Sequence, residues 1–333
     1  MQHAQLCKSK LCMMTTVAAL LLLVFATTDA LAISGATADR DDRFPYVVGI
    51  KYKKRLTCSG TVLFPRIVVT AAHCVQKELD RRRNLFADQY LPSAQLTVTA
   101  VRNGKAETFA VSDVIASPVW RKFVAKPDAG QRYAYDLALI ITKTPIGVPT
   151  PPSMFSLTED WPVQIQDAPD AARADVRDDG TEAWRDTLAE ALTQNGILVG
   201  FGASDCVAFT RCGGIGARRY RPVKIRNTVD CFNAAIDVHS KAPNPKIEPS
   251  VAAVLPLAVW CTDFGVLPGD SGGALLVEGP AGKLYYLGVI SSHWGSYAEK
   301  ATKREVDRRS FATALYPSLD LIAEEARKLG YLP

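Results

Sequence analysis

The chain has 333 residues and a formal net charge of +5, with 48% hydrophobic and 22% charged residues. That is an ordinary globular composition with room for two cores, and it excludes a disordered, collagen-like or multi-span membrane chain. So small a charge makes no case for a nucleic-acid partner, and Arg81-Arg82-Arg83 and Arg308-Arg309 are read as solvated loop charges.

Residues 1–32 read as a secretory signal: Lys8 and Lys10 form a basic start, Val17 to Ala26 is a ten-residue apolar run, and Ala30-Leu31-Ala32 fits a small-x-small cleavage site. The apolar run is about half the roughly 20 residues a membrane span needs, so no stable membrane insertion is expected once the signal is cut. A cut after Ala32 makes Ile33 the mature terminus and the product secreted or periplasmic, with a net charge near +4. Short runs rich in Val, Ile, Leu and Thr follow at Tyr46–Ile50, Gly60–Leu63, Ile67–Thr70, Leu96–Val101, Leu137–Ile141, Ile197–Phe201 and Tyr285–Ile290. These read as strands, and their spacing suits an all-β sandwich or barrel.

Pro149, Pro151 and Pro152 mark a connector between two halves. Beyond it, in an insert at about residues 160–195, Asp167–Gln194 is acidic, Ala-rich and helix-prone, with Trp184, Leu188 and Leu192 on one helical face. Ser318–Leu329 repeats apolar residues at helical spacing and ends at Gly330, so a closing helix docked on the last barrel is expected. Eight cysteines occur, of which Cys7 and Cys12 leave with the signal. The remaining six suggest three disulfides with fifteen possible pairings. With no CxxC pair and four histidines in the whole chain, a zinc site is not expected.

Three short segments carry chemistry. Gly269-Asp270-Ser271-Gly272-Gly273 flanks a nucleophile with glycines, and the N–H groups of Gly269 and Ser271 are candidate oxyanion donors. Thr70-Ala71-Ala72-His73-Cys74 puts an imidazole just after a strand, beside a cysteine 16 residues beyond Cys58. Tyr135-Asp136-Leu137-Ala138-Leu139-Ile140 opens an apolar strand with an acid, which must be partly buried and needs a partner. A serine made nucleophilic by an imidazole, itself oriented by a carboxylate, hydrolyses amides. The chain order His, Asp, Ser is the reverse of the Ser-first order of α/β hydrolases, which sets aside a lipase or esterase reading.

Together these segments resemble the trypsin/chymotrypsin family over nearly the whole mature chain. Phe44-Pro45-Tyr46 is similar to an early family segment, and Val199-Gly200-Phe201-Gly202 to its GWG turn with Phe for Trp. Gly288-Val289-Ile290-Ser291 looks like the strand that pairs with substrate backbone, and Tyr316–Ile322 like the start of the closing helix. The resemblance implies an all-β fold: two six-stranded antiparallel β-barrels with the active site between them, here with a helical insert and a C-terminal helix. The expected division is a first barrel at about 33–150, a second at about 196–312 and the helix at about 318–329. The implied triad is His73, Asp136 and Ser271. Ile33-Ser34-Gly35 resembles the family's IVGG start, which implies an activation pair between the Ile33 amino group and Asp270, and export itself would then generate that terminus.

The family's bridges imply Cys58–Cys74 and Cys231–Cys261, leaving Cys206–Cys212 as the third pair. Gly265 stands where trypsin-type enzymes carry a specificity Asp, and Val266 beside it makes the pocket more apolar. Ser291 and His293 are further candidates for substrate binding, since some acid-specific relatives recognise Glu with a pocket histidine. Leu267 replaces a family cysteine, so one common brace is missing. No cofactor or metal is implied. The expected partners are a polypeptide substrate and, as a further candidate, a protein inhibitor, with the chain a monomer. The competing reading is a catalytically silent homologue that binds a protein partner.

Overall fold

In a computed structural model, the described residues are 33, 36–80, 85–118, 120, 135–149, 151, 195–203, 205–207, 211–213, 215–226, 231, 259–278, 284–294, 309–315 and 318–333. Within 78–80, 85–88, 205–207, 211–213 and 293–294 the description covers the backbone alone. The proposed signal and the helical insert therefore lie outside the described residues.

The first barrel is closed by six antiparallel strands: β2 (Val47–Tyr52), β3 (Arg55–Phe64), β4 (Ile67–Thr70), β7 (Leu96–Arg102), β8 (Lys105–Ala116) and β9 (Ala138–Thr142). Their order around it is β2-β3-β4-β9-β8-β7. Strand β9 is buried at all five positions, as its unbroken apolar run requires. In β8 only Phe109, Val111, Val114 and Ala116 turn inward, and its many exposed positions hid it from a search for apolar runs. The β7–β8 hairpin turns at Asn103-Gly104, with φ of 47° and 71°, the left-handed pair that a two-residue type I′ turn demands. A short ribbon, β5 (Gln76–Asp80) with β6 (Leu85–Tyr90), stands beside this barrel.

The second barrel joins β10 (Asn195–Gly200), β13 (Arg219–Arg226), β14 (Val259–Thr262), β15 (Ala274–Glu278), β16 (Leu284–Trp294) and β17 (Arg309–Ala314). The β13–β14 pairing closes the sheet. The two-residue strand β1 (Thr37–Ala38) adds to β13, and β11 (Asp205–Val207) pairs with β12 (Arg211–Gly213) as a separate ribbon. Two hydrophobic clusters fill the structure. The larger runs from the first barrel through Val199, Phe201 and Leu276, so apolar packing is continuous between the barrels.

Helix α1 spans Leu319–Lys328. It ends in a Schellman motif, with Tyr331 N–H on Ala326 O at 2.8 Å and Gly330 N–H on Arg327 O at 2.9 Å, and Gly330 takes the required φ of 74°. The expected dock on the last barrel needs correction. Leu319, Ile322 and Ala326 join the cluster dominated by the first barrel, and Tyr331 stacks on Phe64 of β3 at 5.7 Å. The apolar stripe of the helix is buried in this cluster, which also takes in second-barrel residues such as Leu276 and Val289.

Candidate active site

The register of β4 and β9 sets the first half of the site. Thr70 pairs with Ala138, so the residues just after β4 and just before β9 emerge at the same end of the barrel. His73 sits there on a single 3-10 turn, Ala72–Cys74, stapled to β3 by the Cys58–Cys74 disulfide with Cα atoms 6.0 Å apart. Asp136 is 2% exposed. Its Oδ1 accepts the His73 backbone N–H at 2.9 Å and its Oδ2 faces His73 Nδ1 at 2.7 Å. A carboxylate only accepts, so Nδ1 carries a hydrogen, and in the neutral ring it is Nε2 that keeps the lone pair. A third donor, the Ser291 hydroxyl, reaches Oδ2 at 2.6 Å. A buried carboxylate with three donors is held firmly and stays in place.

Ser291, expected beside substrate, has its hydroxyl on Asp136. Ile290 pairs with Ala312 and Ser292 with Phe311, so Ser291 is the extra residue of a bulge in β16. A bulge re-aims the side chain it carries, and no feature of the sequence around Ser291 announces it.

The second half of the site is the loop before β15. Ser271 O accepts Ser59 N–H at 2.7 Å, and it lies 3.6 Å from Cys74 Sγ, itself 3.7 Å from His73 Nε2. Ser271 and His73 thus rest on the same disulfide-bonded piece of the first barrel. Within this loop Asp270 N–H donates to Leu267 O, Gly272 N–H to Ile290 O and Gly273 N–H to Asp270 O. Among the described residues the N–H groups of Gly269 and Ser271 donate to no protein acceptor. Backbone donors are rarely left unused without reason, and these two are the pair expected to face an oxyanion. Gly269 and Gly272 sit at φ of 99° and 86°; a Cβ on Gly272 would come within 2.0 Å of Ser59 O. The Gly-rich sequence is therefore a steric requirement of the loop.

Asp270 points away from this opening and is fully buried. Its carboxylate accepts Gly202 N–H at 2.8 Å, Leu267 N–H at 3.0 Å and the backbone N–H of Ile33. Burial pushes its pKa up to about 7, while these N–H donors and the charge of Arg219 pull it down. Ile33 is itself fully buried and holds φ at 39°, a region that a β-branched residue avoids. In the full-length chain Ile33 meets Asp270 through its backbone N–H.

Val266 and Leu267 are buried, and Gly265 beside them is also inside. The side chain of His293 lies outside the described residues. Cys231–Cys261 is bonded with Cα atoms 6.5 Å apart. Cys206 and Cys212 are register partners of β11 and β12, their side chains undescribed. Cys58, His73 and Cys74 gather within 4.8 Å, but the two sulfurs are bonded to each other and offer no thiolate to a metal. Among the described residues no helix is long and apolar enough to cross a membrane.

Comparison with known protein families gives a match to the family model Trypsin over residues 33–169, beginning at Ile33 and covering the segments of His73 and Asp136. With two closed six-stranded antiparallel barrels and a C-terminal helix, this match supports a trypsin/chymotrypsin-like serine protease family for the chain.

Proposed function

We propose that this protein is an active, secreted or periplasmic serine endopeptidase. Ser271 Oγ attacks the scissile carbonyl carbon while His73 Nε2 takes the hydroxyl proton. Asp136 fixes the ring and stabilises the imidazolium, and the N–H groups of Gly269 and Ser271 hold the oxyanion. The imidazolium returns the proton to the leaving amine as the C–N bond breaks. A water, deprotonated in turn by His73, then releases the acyl group. The observation that carries this reading is the pairing of a triply bonded Asp136 with two unused N–H donors at Ser271. A silent homologue would have no need to keep either. The family is one of protease-type hydrolases that act on polypeptides, and Gly265 and Val266 give this pocket no acid with which to hold a Lys or Arg side chain.

Signal cleavage before Ile33 supplies the activating terminus in this reading. The family match begins at the same residue. Cutting there removes the preceding carbonyl and with it the φ strain at Ile33, and it replaces an amide donor to Asp270 with an ammonium. N-terminal sequencing of the exported protein should read Ile-Ser-Gly; another start would refute this route. Activity itself is tested by hydrolysis of a peptide-amide library by the exported protein beside Ser271→Ala. Cleavage lost in the variant supports the proposal, and equal traces from both proteins oppose it.

A further inference from the structure

Arg218 precedes β13 and its side chain is 2% exposed. Burying a guanidinium is costly unless its hydrogens find acceptors, and here two pieces of chain, the Asp39–Asp42 segment and β7, supply three. Nε donates to Asp39 Oδ2 at 2.6 Å, Nη1 to Val101 O at 3.1 Å, and Nη2 to Asp42 Oδ1. Asp39 is equally deep. Its two oxygens also accept the N–H groups of Arg43 and Phe44 at 2.9 and 3.1 Å, and its own N–H donates to Arg218 O at 2.9 Å. Asp42 is tied onward to the Asn103 N–H of the β7–β8 turn. One cation thus joins both barrels to the segment entering the first.

That segment begins at Ile33. Ala36 N–H bonds Ile33 O at 2.7 Å, Thr37 and Ala38 pair with Tyr220 and Arg219, and Asp39 follows in the clamp. No disulfide ties residues 33–46 down, because the segment has no cysteine. The strand pairing is two residues long, and the buried ion pair adds a second anchor to the segment that follows Ile33.

We infer that Arg218 is a positioning residue for catalysis: by gripping Asp39 and Asp42 it keeps Ile33 seated on Asp270, and so holds the loop that presents Gly269 and Ser271. This rests on the endopeptidase reading for its effect on rate, but the seating of Ile33 can be read without activity. The other cation facing Asp270 is Arg219 of β13, which the substitutions below leave in place.

The test uses the exported protein with Arg218→Met, Arg218→Lys and Asp39→Asn, each confirmed folded by urea unfolding. Two rates are measured: cyanate modification of the Ile33 α-amino group, and fluorophosphonate labelling of Ser271 across pH. In Arg218→Met the cyanate rate should rise at least about tenfold and the labelling rate fall by a similar factor. The alkaline loss of labelling should move down toward the free-amine value near 8, with the Lys variant intermediate. A residue that merely stabilised the fold would leave the terminus protected and the alkaline limb unmoved. Folded Arg218→Met with both rates within twofold of wild type would overturn the inference; if that variant does not fold, the same threshold applies to Asp39→Asn. A wild-type protein that starts at Ile33 and takes no label would count against the endopeptidase reading alone, since the cyanate comparison would still decide the clamp.

Discussion

Replacing Asp136 by Asn changes hydrogen-bond chemistry while keeping shape. Oδ1 accepts the His73 backbone N–H at 2.9 Å, and Oδ2 meets His73 Nδ1 at 2.7 Å and the Ser291 hydroxyl at 2.6 Å. A backbone N–H cannot reverse its role, so the amide oxygen must take the Oδ1 place and the NH2 group the Oδ2 place. That NH2 donates to Nδ1 and drives the ring hydrogen to Nε2, where it blocks acceptance of the Ser271 proton. Loss of the carboxylate in this constellation costs ~10^4 in turnover, about 5.5 kcal/mol of barrier. The Ser291 hydroxyl can turn to accept from the new NH2, so the fold should lose only about 1–2 kcal/mol. Turnover of a peptide amide and the fluorophosphonate acylation rate at pH 7 measure the first quantity, and urea unfolding measures the second. A folded Asp136→Asn protein retaining turnover within tenfold of wild type would refute the tautomer argument.

Gly202→Ala would place a Cβ 2.4 Å from Asp270 Cγ and within 2.6 Å of both carboxylate oxygens, so Asp270 must shift and break its Gly202 hydrogen bond; hydrogen bonds to a charged group are worth about 1.5–3 kcal/mol, and both the melting temperature and the labelling rate should fall. In an export-blocked, uncut chain, Asp270 titrates near 7, above its unfolded value near 3.9. A raised acid destabilises the fold as it ionises, so stability should drop by about 3 kcal/mol between pH 5 and pH 8; urea unfolding at the two pH values should show this, and cleavage before Ile33 should remove most of it. Replacing both Cys58 and Cys74 by Ala opens a 16-residue loop and should cost about 3 kcal/mol in the chain-entropy picture, read as a lower urea midpoint, with a slower labelling rate because His73 loses its staple.

The three candidate catalytic segments stand out in the sequence because each carries its chemistry in adjacent residues, such as Gly269 to Gly273 around Ser271. The strands found were those with unbroken apolar runs, such as β4 and β9. Strand β8, half exposed, and β13, which contains Pro222, present mixed patterns that periodicity alone does not separate from loop. Two contacts depend on long-range closure and leave no local trace. Ser291 reaches Asp136 across 155 residues of sequence by way of a bulge. Arg218 reaches Asp39 across 179 residues, and reads in the sequence as one more arginine in a basic stretch. The direction in which α1 docks was likewise hidden, since an amphipathic stripe says that a face is buried and not against what.

The central claim is that Ser271, His73 and the paired N–H donors form a working acylation site. Labelling of the exported protein with an alkyl fluorophosphonate, followed by peptide mapping of the modified residue, tests it most directly. The account predicts stoichiometric modification at Ser271, abolished in Ser271→Ala and slowed by several orders of magnitude in His73→Ala. A folded protein beginning at Ile33 that stays unmodified, or one modified elsewhere at an undiminished rate in Ser271→Ala, would contradict it.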